Sequence, residues 1–402
     1  MKNSILSFLV CSLVSVSCSN TPNTGIAEEK TYIVEPTIYY GNTTTDIPVP
    51  VVDNSDGPVI TNDIENKLTA AVADYLTVQK PQGMSISVYA DGGGEWSYVD
   101  GYSDPEKRSA VSESTLFHSA SSGKMIMATI IFSLIQDGYL RLDEPVSKWF
   151  GDEALFDGVT IDHLLSHTSG IVSFEIIREF QGNKRTWSEE DLVDLVIRNQ
   201  KRKLFEPGTA LHYSNTGYVM LGMIAKKVTG ETLGSLLDTR INGRTGSGKL
   251  LYLSEENYTD FVTASFDENG DYIQLLDPLY ATGPHGAGAF AGTPFEFARF
   301  LNALLAGNII NTATLKAALS NLRLCEDTAQ AKVYYGRGFK LIRITEQGNE
   351  SRYIGHAGQY TGFGFTSQLY HSIDRHVTVA IMTNQTVVTD PLMFKLAEAF
   401  SN

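Results

Sequence analysis

The sequence predicts a mixed α/β (α+β) domain: an antiparallel sheet fed from both ends of the chain, flanked by helices, with a mainly helical lobe inserted. Two observations carry this reading. Met84–Tyr89 alternates like a strand and Glu95–Asp100 returns beside it, while Tyr334–Ile344, Arg352–Ile354, Phe363–Tyr370 and Val377–Thr383 read as successive antiparallel strands joined by turns. Between the two sets, residues 140–320 read as mostly helical.

The elements follow in order. Asn62–Leu76 places Ile64, Leu68, Ala71, Val72 and Tyr75 at the spacing of an amphipathic helix. Asp91-Gly92-Gly93-Gly94 turns the first two strands into a hairpin. Phe117–Lys124 leads into a long apolar helix that reaches about Asp137. Ser188-Glu189-Glu190-Asp191 and Thr293-Pro294-Phe295-Glu296 read as capped helix starts, the second with proline at the first helical position. A helix over Pro391–Phe400 closes the chain.

Of 402 residues 42% are hydrophobic, enough for a sizeable core and too many for a disordered chain. Lys plus Arg number 31 against 46 Asp plus Glu, a net charge of −15 that repels phosphate backbones and excludes nucleic-acid binding. Three cysteines, Cys11, Cys18 and Cys325, cannot build a disulfide scaffold. Cys325 reads as a small residue in or near the core.

Residues 1–17 have the layout of a signal peptide: Lys2, an apolar run from Ile5 to Val16, then small residues. Val16-Ser17-Cys18 resembles a bacterial lipoprotein cleavage site, with Ser15 where that pattern usually has Leu. The expectation is a lipid on Cys18, a flexible tether over 18–60 and a folded domain over 61–402. Short alternations at Thr37–Tyr40 and Ile47–Val52 leave room for strands within the tether. No later run approaches the roughly 18 apolar residues a membrane helix needs. The leader and the lipid site together lead to the expectation of a domain outside the cytoplasm, held to the cell envelope by its lipid.

Three motifs carry chemistry. In Ser121-Ser122-Gly123-Lys124, a serine and a lysine three apart at a helix start share a face, so the amine reaches the hydroxyl. A serine hydroxyl is a weak nucleophile until a neighbour accepts its proton. Of all the lysines, only Lys124 has a serine three places before it. The second motif is Tyr213-Ser214-Asn215, after Phe205-Glu206-Pro207-Gly208. Beside a lysine ammonium a phenol loses its proton more readily, which fits Tyr213 as base toward Ser121 and acid toward a leaving group. Asn215 is expected to donate to a substrate carbonyl and to orient Lys124. A second Tyr-x-Asn, Tyr40-Gly41-Asn42, lies in the tether without the Pro-Gly turn and following helix. The third is His356-Ala357-Gly358-Gln359, where glycine at a strand edge lets a substrate backbone approach. The Gln359 and Ser121 amides are expected to form an oxyanion hole.

In this order and spacing the motifs closely resemble the serine beta-lactamase and penicillin-binding peptidase superfamily. The nearest branch is that of class C beta-lactamases, D-alanyl-D-alanine carboxypeptidases and related esterases. Ile161–Gly170 and Gly286-Ala287-Gly288 running into Phe297–Leu301 add to the likeness, which spans residues 62–384. The resemblance implies a beta-lactamase-like fold and an acyl-enzyme on Ser121. Lys124 and Tyr213 are then proton-transfer partners, and Asn215, His356, Gly358 and Gln359 bind substrate. Many beta-lactamases of this branch have Lys-Thr-Gly where His356-Ala357-Gly358 stands. Histidine is mostly neutral at pH 7 and alanine has no donor, so a substrate carboxylate is held weakly. That points to a peptidase or esterase with weak or no beta-lactamase activity.

No metal or organic cofactor is expected. His163 and His167 are four apart, but Leu164 stands where a zinc protease needs Glu, so structural roles near the site fit better. The expected substrate is a small ester or a D-amino-acid peptide, as in peptidoglycan. The alternative is a sensor of the same fold that captures peptidoglycan fragments or β-lactams without turnover. The retention of Ser121, Lys124 and Tyr213 together favours the enzyme.

Overall fold

The computed structural model describes residues 35–44, 57–104, 106, 108–183, 185–246, 249–253, 263–267, 269–273, 284–346, 349–360 and 364–401. The expected signal peptide, Cys18 and the Ile47–Val52 alternation lie outside them.

Nine strands form the main sheet: β1 (Thr43–Thr44), β2 (Gly83–Ala90), β3 (Glu95–Gly101), β4 (Leu322–Asp327), β5 (Ala331–Tyr335), β6 (Lys340–Glu346), β7 (Asn349–Tyr360), β8 (Phe365–Ser372) and β9 (Val377–Thr383). Their order is β1-β4-β5-β6-β7-β8-β9-β2-β3, every pair antiparallel. The opening hairpin thus joins the closing strands through β9 and β2, as the split alternation predicts. The β6 ladder ends at Lys340↔Gly355, while β7 continues along β8 to Tyr360↔Phe365. This extension carries His356, Ala357 and Gly358.

One face of the sheet packs under α1 (Asn62–Val78), with Leu68 and Val72 buried against Met84, Ile86 and Val88. The larger core lies on the other face, around α2 (Gly123–Gln136), α3 (Asn215–Thr229) and α4 (Pro294–Leu305). The closing helix α5 (Asp390–Glu398) joins α1 on the first face. Every residue of α2 from Gly123 to Leu134 is buried, which is why its sequence is apolar all round rather than striped. Thr293 caps α4 in a reciprocal box with Glu296, with Pro294 at its start, as the sequence predicts. Ser188 and Asp191 do the same for Glu189–Asn199.

Three sequence expectations change. The strand foreseen over Tyr334–Ile344 is two strands, broken at Gly336–Gly338. Gly338 has φ of +86°, and a Cβ there would stand 2.6 Å from Ala128 Cβ, so only glycine turns so close to α2. Strand β4 goes unannounced in the sequence, because the alternation of Leu322–Asp327 stops after Leu324. Part of the expected tether also lies on the domain. Tyr39 and Leu211 exchange backbone hydrogen bonds of 2.8 and 2.9 Å, β1 pairs with β4, and Arg323 donates to the Gly41 carbonyl at 2.9 Å.

Candidate active site

Ser121 sits in a single 3₁₀ turn, Ala120–Ser122, that runs straight into α2. The turn is forced. Ala120 takes φ of +47°, a left-handed conformation rare for a residue with a Cβ. The His118 Nδ1 accepts its backbone N–H at 2.9 Å and holds it there. Hydroxyls fasten the rest: Ser119 donates to Gly288 O at 2.8 Å, and Ser122 and Ser367 both donate to Ser119 O, at 2.8 and 2.6 Å. Across 117–134 every residue is buried except Ser121. The motif's other hydroxyls are structural, and Ser121 alone faces outward.

One turn along, Lys124 is fully buried. Its Nζ lies 3.1 Å from Ser121 Oγ and 2.8 Å from the Ala287 carbonyl. Burial pushes the amine down to about 7, against the Glu175 carboxylate, which raises it, and Lys340, which lowers it further. Near neutral pH a large fraction of Lys124 is therefore the free amine. Donating one N–H to Ala287 O leaves its lone pair for the Ser121 proton.

Tyr213 precedes α3 and brings its ring to 4.9 Å from Lys124 Nζ. Its buried hydroxyl lies beside Ser121 without a hydrogen bond of normal geometry. Here the structure corrects the sequence reading. Burial dominates, and the phenol is pushed well above its ordinary range, not below it. Lys124 is thus the group ready to accept a proton, and Tyr213 the group that holds one.

Asn215, the first residue of α3, gives its Nδ2 to Glu175 Oε2 at 2.6 Å. That carboxylate also accepts from Ser173 Oγ at 2.8 Å. Asn215 does not orient Lys124; the Ala287 carbonyl does. Glu175 was missed from sequence. It carries no motif, and only folding brings it to Asn215 and within electrostatic reach of Lys124.

On the sheet side, Gly358 is pressed against the Ser121 turn. A Cβ there would lie 2.6 Å from both Ser121 N and Ser119 O, so a side chain would displace Ser121. Gln359 follows it in β7. His356 is the third correction. Expected to touch substrate, it is 1% exposed, and its Nε2 meets Tyr335 Oη at 3.1 Å inside the protein. His163 belongs to the helix cap at Thr160, and no cluster able to hold a metal occurs among the described residues. Cys325 is free and partly buried, and burial pushes its thiol up to about 12.

A family model described as beta-lactamase matches residues 68–398. Penicillin-binding protein 4* of Bacillus subtilis is 27% identical over 80% of this chain and 72% of its own length. Esterase EstB of Burkholderia gladioli is 30% identical over 48% of this chain and 52% of its own length. The crystal structure of D-amino acid amidase from Ochrobactrum anthropi SV3 superposes with a TM-score of 0.73 at 25% identity, covering 85% of this chain and 99% of that one. The outward serine, the buried amine against it and a family match that spans both lobes agree: the chain belongs to the beta-lactamase family and is a serine hydrolase of its fold.

Proposed function

We propose that this enzyme acylates Ser121 and then hydrolyses the ester, with a small amide or ester as substrate. The observation that carries the reading is the 3.1 Å approach of a buried, depressed Lys124 amine to the one outward-facing hydroxyl of its turn. Lys124 takes the Ser121 proton as Oγ attacks the carbonyl. The Ser121 and Gln359 amides stabilise the oxyanion. Tyr213 gives its proton to the leaving nitrogen or oxygen and is reprotonated from the Lys124 ammonium. A water then repeats the sequence against the acyl-enzyme.

The site's charges favour a substrate with a free amine on its acyl part. Glu175, steadied by Asn215 and Ser173, offers a carboxylate near the reacting atoms. The buried His356 offers no charge to a substrate carboxylate. A D-amino-acid amide or D-aminoacyl ester meets both conditions, and a penicillin meets neither, in line with the amidase among the structural relatives.

The test pairs intact-mass analysis with turnover. A fluorophosphonate should add one adduct to the wild type and none to Ser121→Ala. D-alanine p-nitroanilide should turn over faster than its N-acetyl derivative. Equal labelling of Ser121→Ala would end the proposal. A penicillin adduct stable for hours, without amide turnover, would fit the sensor instead. For location we propose export and acylation at Cys18, supported by the leader's residues. Metabolic labelling with an alkyne fatty acid should mark the wild type and not Cys18→Ser.

A further inference from the structure

Beneath the reacting groups lies a run of buried polar side chains that the proposed chemistry does not use: His167, Tyr335 and His356. Their hydrogen bonds can be assigned one direction each. The Ser214 backbone N–H donates to His167 Nδ1 at 3.1 Å, so in a neutral ring the proton sits on Nε2. His167 Nε2 stands 3.1 Å from Tyr335 Oη. At the other end, His356 Nδ1 meets the Ala357 carbonyl, which can only accept, so this ring is protonated at Nδ1. Its Nε2, 3.1 Å from Tyr335 Oη, must then accept. The order that satisfies all three residues is His167 Nε2–H to Tyr335 Oη, and Tyr335 O–H to His356 Nε2; Tyr218 Oη, also within hydrogen-bonding reach of Tyr335, is the competing acceptor and would leave His356 Nε2 without a donor.

Both imidazoles are held neutral. Burial and the positive charges of Lys124 and Lys340 push each well below its ordinary range, and His212 adds to this at His167. The hydrogen bonds from Ser214 to His167 and from His356 to Ala357 act the other way and are outweighed. The neighbouring Tyr218 spends its proton on Leu165 O at 2.9 Å.

One end of the chain packs on a reacting group, and the other shares a strand with the residue pressed against one. The His167 ring packs on Tyr213 with centroids 4.3 Å apart, and Ser214, which holds His167, is Tyr213's neighbour in sequence. His356 belongs to β7, two residues before the glycine pressed on Ser121 N. We propose that Tyr335 is a positioning residue: its hydroxyl joins His167 to His356 and so holds the Tyr213 phenol in register with the strand that flanks Ser121. This rests on Tyr213 acting as the acid toward the leaving group, as proposed above.

The test uses two reactions of the whole protein that differ in their need for that acid. An anilide leaving group needs a proton; the fluoride expelled from a fluorophosphonate does not. In Tyr335→Phe, loss of one buried hydrogen-bond junction should slow D-alanine p-nitroanilide hydrolysis in kcat by roughly tenfold, with KM within about twofold. Labelling of Ser121 by the fluorophosphonate should change by less than about twofold. Tyr353→Phe removes a buried hydroxyl bonded to Arg375 on the sheet's other face, and should leave both rates alone. Equal losses in both reactions, or in neither, would overturn the proposal.

A second measurement needs neither substrate nor variant. In ¹⁵N-histidine spectra of the wild type at pH 7, His167 should carry its proton on Nε2 and His356 on Nδ1. The opposite tautomer, or a cation, at either position would refute the chain even if Ser121 and Tyr213 react as proposed. Correct tautomers without amide turnover would instead leave the chain standing and count against the catalytic reading.

Discussion

Two buried clusters of titratable groups lie far apart in this fold, and they are built differently. At the site, Lys124, Tyr213, His167, Tyr335 and His356 surround one outward hydroxyl. The histidines have their donors and acceptors matched, and the orphaned buried atoms, Tyr213 Oη and Asn215 Oδ1, belong to residues proposed to meet substrate. At the far turn between β8 and β9, Asp91 faces His371 and His376. Asn302 donates to its Oδ1 at 2.9 Å, but Asp91 Oδ2 and His371 Nε2 are both orphaned at 3.8 Å from each other, with His376 Nδ1 3.6 Å away. A perturbed group alone does not mark function. The site differs because its shifted amine touches the one outward-facing hydroxyl of its turn, whereas Asp91 meets the buried Asn302 and His371 and the exposed imidazole of His376.

The contrast can be broken by experiment. Lys124→Met removes the proposed base and should lower amide turnover by about 10³–10⁴. Because the ammonium is costly to bury, the same change should leave the thermal midpoint unchanged or higher. A large loss of stability with a small loss of rate would make the cluster structural.

Tyr213→Phe should cost about 10²–10³ in anilide hydrolysis while slowing fluorophosphonate labelling far less. Equal effects would return the phenol to the role of base that the sequence implied.

Glu175→Gln should raise KM for D-alanine p-nitroanilide by about tenfold, from loss of a charge-assisted contact, with little change for the N-acetyl compound. Identical shifts for both would remove the ammonium reading.

The smallest effect belongs to the far cluster. Burial raises the Asp91 carboxyl from 3.8 to about 7, so the unfolded chain releases this proton first. Stability is full below about pH 4 and falls as pH climbs through 7. Asp91→Asn should therefore gain stability at pH 8 and none near pH 4, with activity unchanged, as read from urea midpoints. A loss of rate would erase the distinction between the clusters.

What the sequence disclosed follows the range of each interaction. The Ser121–Lys124 pair is local, one turn of helix, so spacing alone placed it. The hairpin, the capped starts at Ser188 and Thr293 and the split sheet were legible for the same reason. His356 was misplaced because a strand's two faces are set by what packs on them. It shares a face with Gly358, and that face is pressed under the Ser121 turn, so its ring lands in the interior. The direction of the Tyr213 shift was misjudged because desolvation depends on the surrounding lobe, which no tripeptide reveals. Glu175, Ala287 O and Tyr335 reach the site through tertiary contacts alone. The docking of Tyr39 beside Leu211 was hidden by a composition that reads as linker.

The most direct test of the central claim is the rate of Ser121 labelling by a fluorophosphonate as a function of pH. If the nucleophile is activated by a free Lys124 amine, the rate should rise along a single sigmoid centred near 7 and then hold a plateau, and Lys124→Met should abolish the rise. A sigmoid centred near the ordinary lysine value of 10.5, or a profile that Lys124→Met leaves intact, would contradict it.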